Sequence, residues 1–175
     1  MSSETEKWSY TTEISIKELF NPPTDQPHRG ILLIVRELEK ILGKDKALQL
    51  VEEVRAREKT QEYTEFGKAH PITCFKDFVK MFEGNIACLY SHANIDEPAV
   101  YTDNSRSVKT VGCLFAETWR SWGAEDIGYA YNCSTDFPAT KALHPNLRLE
   151  RTKTLMQGDD CCDFKFIWEE KRVNK

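Results

Sequence analysis

The sequence predicts an α+β domain, with helices leading and an antiparallel sheet following. Two observations carry this. In the first half, apolar residues recur at the three-to-four spacing of helices buried along one side; in the second, short alternating runs are separated by turn residues. Strand and helix patterns do not interleave along the chain, which argues against a doubly wound parallel sheet.

Residues 1–30 are polar and broken by Pro22, Pro23, Pro27 and Gly30, so they are expected to form an arm packed on the domain, with Glu13–Phe20 as a short strand or helix. A single domain over 31–170 and a polar tail at 171–175 complete the expected organisation. In Ile31–Leu42 the apolar positions 31, 34, 35, 38, 41 and 42 fit a helix, and Gly43 stops it. Ala47–Glu58 repeats the pattern, with Leu48, Val51 and Val54 opposite Glu52, Glu53 and Arg55. Thr73 can cap a third helix in which Phe75, Phe78, Val79 and Phe82 share a face.

Beyond these, Pro98–Val111 reads as a hairpin around Asp103-Asn104-Ser105, and Leu114–Trp122 as a short helix ended by Gly123. The aromatic run Ile127–Cys133 is strand-like. Asp136, next to Pro138, reads as a cap opening a short helix to Leu143. Leu147–Met156 alternates without a clean apolar face. Gly158-Asp159-Asp160 is a turn, and Phe164, Phe166 and Trp168 resume period-two alternation, giving a final hairpin.

A chain of 175 residues with 40% hydrophobic and 30% charged residues is globular and long enough to bury a core without disulfides or metal. Its net charge of -4, with no basic stripe, argues against nucleic acid as a partner. No apolar run is long enough for a membrane helix, and the polar, acidic start lacks the form of a signal peptide. The expectation is a cytoplasmic protein with no membrane partner, whose six cysteines are reduced thiols. None of them forms a CxxC pair, so the usual zinc-finger spacing is missing.

Four cysteines fall between positions 113 and 163, together with several carboxylates: Cys113, Cys133, Asp136, Asp159, Asp160, Cys161, Cys162 and Asp163. A thiolate near a carboxylate can attack an electrophilic carbon. Carboxylates beside a thiol can instead hold a divalent metal, and buried cysteines can simply act as small hydrophobes. Alternation at Cys161-Cys162 sends one of the two to the interior. The histidines, at 28, 70, 92 and 144, form no metal-binding array. Aromatic residues including Trp119, Tyr131, Phe164 and Phe166 can form core or line an apolar pocket.

Three pieces, present in order, resemble the L-2-amino-thiazoline-4-carboxylic acid hydrolase family. The first is Val111-Gly112-Cys113 leading into a helix. The second is a C-x-x-D segment, Cys133-Ser134-Thr135-Asp136, after Ala124-Glu125-Asp126-Ile127-Gly128. The third is the closing run Arg151-Thr152-Lys153-Thr154-Leu155-Met156-Gln157-Gly158-Asp159-Asp160-Cys161-Cys162-Asp163-Phe164. The resemblance covers residues 70 to 168. The closing element is more distantly similar to vinyl-reductase-type small-molecule-binding domains, which implies helices, then a sheet, around a ligand cavity.

The family resemblance implies a hydrolase acting on non-peptide C–N bonds in cyclic amidines. In the namesake reaction water opens a thiazoline ring at the carbon between sulfur and nitrogen, giving N-carbamoyl-cysteine. Carried over residue by residue, Cys113, Cys133, Asp136, Asp160 and Cys162 are the candidate catalytic groups; Arg151, Arg120, Gly158 and Trp119 are the candidate substrate contacts. Cys133 or Cys113 would supply a thiolate, Asp136 would hold or protonate the amidine nitrogen, and Arg151 or Arg120 would grip a carboxylate. The expected partner is a small-molecule substrate. No cofactor is expected, a metal is left open, and an exposed sheet edge leaves room for a homodimer. The competing expectation is a non-catalytic small-molecule or metal-binding module.

Overall fold

Pro27 opens the first helix, α1 (Pro27–Leu42), and so ends the expected arm four residues early. A proline suits a first helical position because its missing N–H has no intrahelical acceptor there. The computed structural model describes residues 27–87, 90, 91 and 93–170; Glu13–Phe20, Cys88, His92 and the tail 171–175 lie outside the described residues. Gly30 sits inside α1 instead of breaking it. Only part of the predicted apolar face is covered: Val35 is buried, whereas Ile34 and Ile41 are exposed.

Gly43, at φ +81°, turns the chain into α2 (Lys44–Ala69), which runs well past the predicted end at Glu58. Ala47 and Val51 are buried on its inner side, and Arg55 continues that line one turn later, donating from Nε to the Tyr131 carbonyl at 3.1 Å. Arg55 thus faces in and Val54 out, the reverse of the stripe read from the sequence. Near its end α2 passes so close to Leu143 that a Cβ on Gly67 would lie 2.5 Å from the Leu143 carbonyl oxygen. Helix α3 (Phe75–Met81) follows and continues as a π-helical turn, Phe82–Ala87. Cys74, not Thr73, is its capping residue; the Thr73 N–H and hydroxyl both donate to Asp77.

The sheet is antiparallel throughout. Its strands are β1 (Asn94–Asp96), β2 (Val100–Tyr101), β3 (Ser105–Cys113), β4 (Leu147–Glu150) and β5 (Cys162–Trp168), in the order β1-β3-β5-β4, with β2 also on β3. The hairpin around Asp103-Asn104 and the final strand stand where the alternation put them. Strand β4 stops at Glu150, not Met156. The carboxylate of Asp163 accepts the N–H groups of Thr152 and Lys153, Asp159 accepts that of Thr154, and Cys162 Sγ accepts that of Leu155. Backbone donors engaged by side chains cannot extend a ladder.

Between β3 and β4 lie α4 (Leu114–Ser121), α5 (Glu125–Gly128), a π-helical turn (Tyr129–Cys133) and α6 (Asp136–Leu143). The strand expected at Ile127–Cys133 is therefore helical. Its Ile127 and Ala130 are buried with Trp119 and Met156, and a Cβ on Gly128 would lie 2.5 Å from Trp119 Cγ. Packing on that side overrides the β-propensity of Tyr129 and Tyr131.

One apolar cluster joins Phe75, Phe78 and Met81 to Leu147, Phe166 and Trp168; a second gathers Val35, Val51, Ala116, Trp119 and Ile127. The result is the predicted α+β fold, with helices laid over one face of the sheet. Among the described residues no helix is long and apolar enough to cross a membrane.

Candidate functional site

The inner face of the sheet leaves a cavity of about 260 Å³, bordered by members of both apolar clusters. Alternation places Arg106, Val108 and Thr110 of β3 and Cys162, Phe164 and Phe166 of β5 on its floor. Arg55, Lys59 and Tyr63 of α2 close it from above at successive i+4 positions. Phe82, Ile86 and Tyr90 wall one side. Cys133, Asp136 and Thr140 wall the other, with Cys113 and Phe115 at the start of α4.

Of the residues singled out from the sequence, Cys113, Cys133, Asp136, Arg151 and Cys162 all line this cavity. Cys133 and Asp136 are three residues apart on a continuous helical path, which puts both side chains on one face. The guanidinium of Arg151, 2% exposed, donates from Nη1 to Asp136 Oδ2 at 2.5 Å and from Nη2 to the Cys133 carbonyl at 3.0 Å. It also lies 5.2 Å from the centre of the Phe164 ring. Asp136 is thus the first residue of α6 and an ion-pair partner; Thr135 precedes it at the capping position.

The other candidates lie elsewhere. Asp160 is exposed and pairs with Lys153 at 2.8 Å. Gly158, at φ +94°, closes the short 3₁₀ turn Leu155–Gln157. Arg120 donates to the Leu155 carbonyl at 2.6 Å from an exposed position. Trp119 is buried core, its Nε1 donating to Asn132 Oδ1 at 2.8 Å. Both Cys161 and Cys162 are buried, not one of the two, and of the pair only Cys162 lines the cavity. The acidic turn has a positioning effect: Asp159 and Asp163 clamp the backbone of residues 152–154 directly after Arg151.

Burial sets the protonation states. It pushes the Cys133 thiol up to about 12, aided by the nearby Asp136 charge, and moves Cys113 in the same direction. Both thiols therefore rest protonated. The Asp136 side chain is 40% accessible, and it lines the cavity, where the protein packed around it leaves the carboxyl poorly solvated. Its carboxyl accordingly rises to about 6, with desolvation outweighing the pull of Arg151. Arg151 itself is desolvated, yet the Asp136 carboxylate holds its charge on, so the mobile proton of the pair belongs to Asp136. Burial also pushes the Tyr63 hydroxyl up.

Sequence reasoning missed Arg55, Lys59, Tyr63 and Arg106. For the first three the signal was present: the i+4 line from Ala47 and Val51 continues in polar residues, as a helix roofing a polar cavity requires. Among the described residues no group of three or more His, Cys, Asp or Glu side chains is arranged to hold a metal ion.

The family model for L-2-amino-thiazoline-4-carboxylic acid hydrolase matches residues 26–166. The chain belongs to this family. Every residue lining the cavity falls inside the stretch matched to the hydrolase family. No curated protein matches the chain. Among solved structures, one similar chain is a trafficking protein particle complex subunit 3 from Naegleria fowleri, covalently bound to palmitic acid; it has 12% identity and a TM-score of 0.44 over 80% of this chain and 93% of that one. Another comes from work on heme distortion in the H-NOX family, with 14% identity and a TM-score of 0.46 over 86% of this chain and 76% of that one. At such scores neither likeness bears on function.

Proposed function

We propose that the protein is a hydrolase that opens a C–N or C–S bond in a small cyclic amidine, of the kind represented by 2-amino-thiazoline-4-carboxylate. The observation that carries this reading is Cys133 and Asp136 on one helical face lining the cavity, with Arg151 fixing the carboxylate. An amidine carbon needs a nucleophile, a base for its proton and an acid for the departing group.

A thiol resting near 12 is a poor nucleophile until its proton is removed, and Asp136, near 6, is mostly ionised at neutral pH and within the same site. Cys133 attacks the ring carbon as its proton passes to Asp136. Asp136 then returns that proton to the departing ring atom as its bond to the carbon breaks; water next adds its oxygen to that carbon, and the bond to Cys133 Sγ breaks as the sulfur regains a proton. Arg151 keeps the carboxylate oriented through both steps. The aromatic floor, Phe164 and Phe166, gives the flat ring an apolar surface to lie on.

The test is incubation of purified protein with 2-amino-thiazoline-4-carboxylate, following N-carbamoyl-cysteine by mass spectrometry. Product formed catalytically supports the reading. Tight retention of a ring compound without product would favour the binding module, which the protonated thiols among aromatic walls also suit.

A further inference from the structure

The proposed substrate carries a carboxylate, and neither arginine first considered for it is placed to take it. Arg151 already uses Nη1 on Asp136 and Nη2 on the Cys133 carbonyl, and Arg120 lies outside the cavity. Three other cations line the cavity. Arg55 and Lys59 turn their charged ends toward Glu58 and Glu62, both more than half exposed.

Arg106 differs. It rises from the floor strand β3 with its side chain 5% exposed, and its guanidinium sits 5.0 Å from the centre of the Phe82 ring. Its Nε donates to Glu83 Oε1 at 2.5 Å, and the Tyr101 hydroxyl donates to that same oxygen at 2.9 Å. Glu83 is its one carboxylate partner among the described residues, and it meets the Nε side of the fork. A guanidinium so held keeps its Nη1–Nη2 edge for a second, bidentate carboxylate.

We infer that Arg106 reads the substrate carboxylate. The inference rests on the hydrolase reading and deepens it, because it orients the substrate. Arg106 stands opposite Phe166, while Arg151 follows β4 at the level of Phe164, on the other side of β5. Strand geometry separates their Cα atoms by roughly 12 Å. The acid therefore lies toward β2 and the α3 turn, and the reacting ring lies across the β5 aromatic floor toward α6. The substrate class is a flat heterocycle with an anionic group at the end away from its reacting carbon.

The test compares wild type, Arg106→Gln and Arg106→Lys on 2-amino-thiazoline-4-carboxylate and on 2-amino-thiazoline, the same ring without the acid. Arg106→Gln is expected to raise KM for the acid about a hundredfold, with kcat within about threefold and no change on the ring lacking the acid. Arg106→Lys keeps the charge but not the fork, and is expected to raise that KM about tenfold. An unchanged KM for the acid in folded variants overturns the inference. So does an equal loss on both ring compounds, which marks a purely structural role.

If wild type opens neither ring, the hydrolase reading fails separately, and calorimetric binding of thiazole-4-carboxylate against thiazole tests Arg106 alone. Wild type must then prefer the acid and Arg106→Gln must lose that preference; no preference in wild type, or preference kept in the variant, overturns it. If Arg106→Gln does not fold, Arg106→Lys carries both comparisons.

Discussion

Arg151 donates to Asp136 at 2.5 Å on the cavity wall, one helical turn beyond Cys133. The pair is unequal. The guanidinium keeps its charge at every accessible pH, while desolvation lifts the carboxyl to about 6, so the site holds one exchangeable proton next to a protonated thiol. A group of that kind suits proton transfer near neutral pH better than a permanently charged salt bridge would.

The first consequence is a pH profile. If Asp136 is the base, kcat/KM for ring opening climbs as pH rises through about 6 and then levels off. Asp136→Asn keeps the shape but cannot accept a proton. It is expected to lower kcat/KM by at least about a hundredfold and to abolish that limb. Steady-state rates from pH 4.5 to 8 check both points.

Stability carries the same signature with a definite sign. The ordinary value for this carboxyl is 3.8 and the folded value about 6, so the folded state holds the proton more tightly than the unfolded chain. The contribution is fully present below the ordinary value and is lost as pH rises through about 6. Urea titrations of wild type and Asp136→Asn should therefore show a stability difference that moves against wild type across that window. A difference that is flat with pH would contradict the raised value.

Removing Arg151 isolates its role as the holder of Asp136. Arg151→Met leaves a desolvated carboxylate with no partner and is expected to cost about 3 kcal/mol of stability. Any remaining ring opening should show its pH limb displaced upward, since the one nearby charge that lowers Asp136 most strongly is gone. Denaturation and the pH profile of the same variant give the two readouts.

Thiol chemistry should rank by exposure and proton affinity. Cys74 is exposed, whereas Cys133 is held in the cavity as a thiol near 12. Limiting iodoacetamide at neutral pH is thus expected to label Cys74 well before Cys133. Peptide mass spectrometry of partially labelled native protein reads the order. Labelling of Cys133 first would mean that it rests as a thiolate.

The order of helices and sheet and the final strand were legible from their apolar periodicity, and the hairpin around Asp103 from the polar Asp103-Asn104-Ser105 turn between two β-rich runs. The C-x-x-D pair was legible as residue types but not as geometry. Reading Ile127–Cys133 as a strand hid the helical path that puts Cys133 and Asp136 side by side; that path buries Ile127 and Ala130 beside Trp119 and Met156 and packs Gly128 against the Trp119 ring. The closing motif had its acids in view, yet Asp159 and Asp163 serve the backbone after Arg151, a hydrogen-bond pattern that spacing does not disclose. Arg106 sits in an ordinary alternating strand, and nothing in its neighbours reveals that the inner face there is hollow.

The most direct test of the account is the turnover of 2-amino-thiazoline-4-carboxylate by wild type, Cys133→Ala and Asp136→Asn, each verified as folded by its melting transition. The account predicts ring opening by wild type and a loss of at least about a hundredfold in both variants. Undiminished turnover in either folded variant, or no ring opening by wild type, would contradict it.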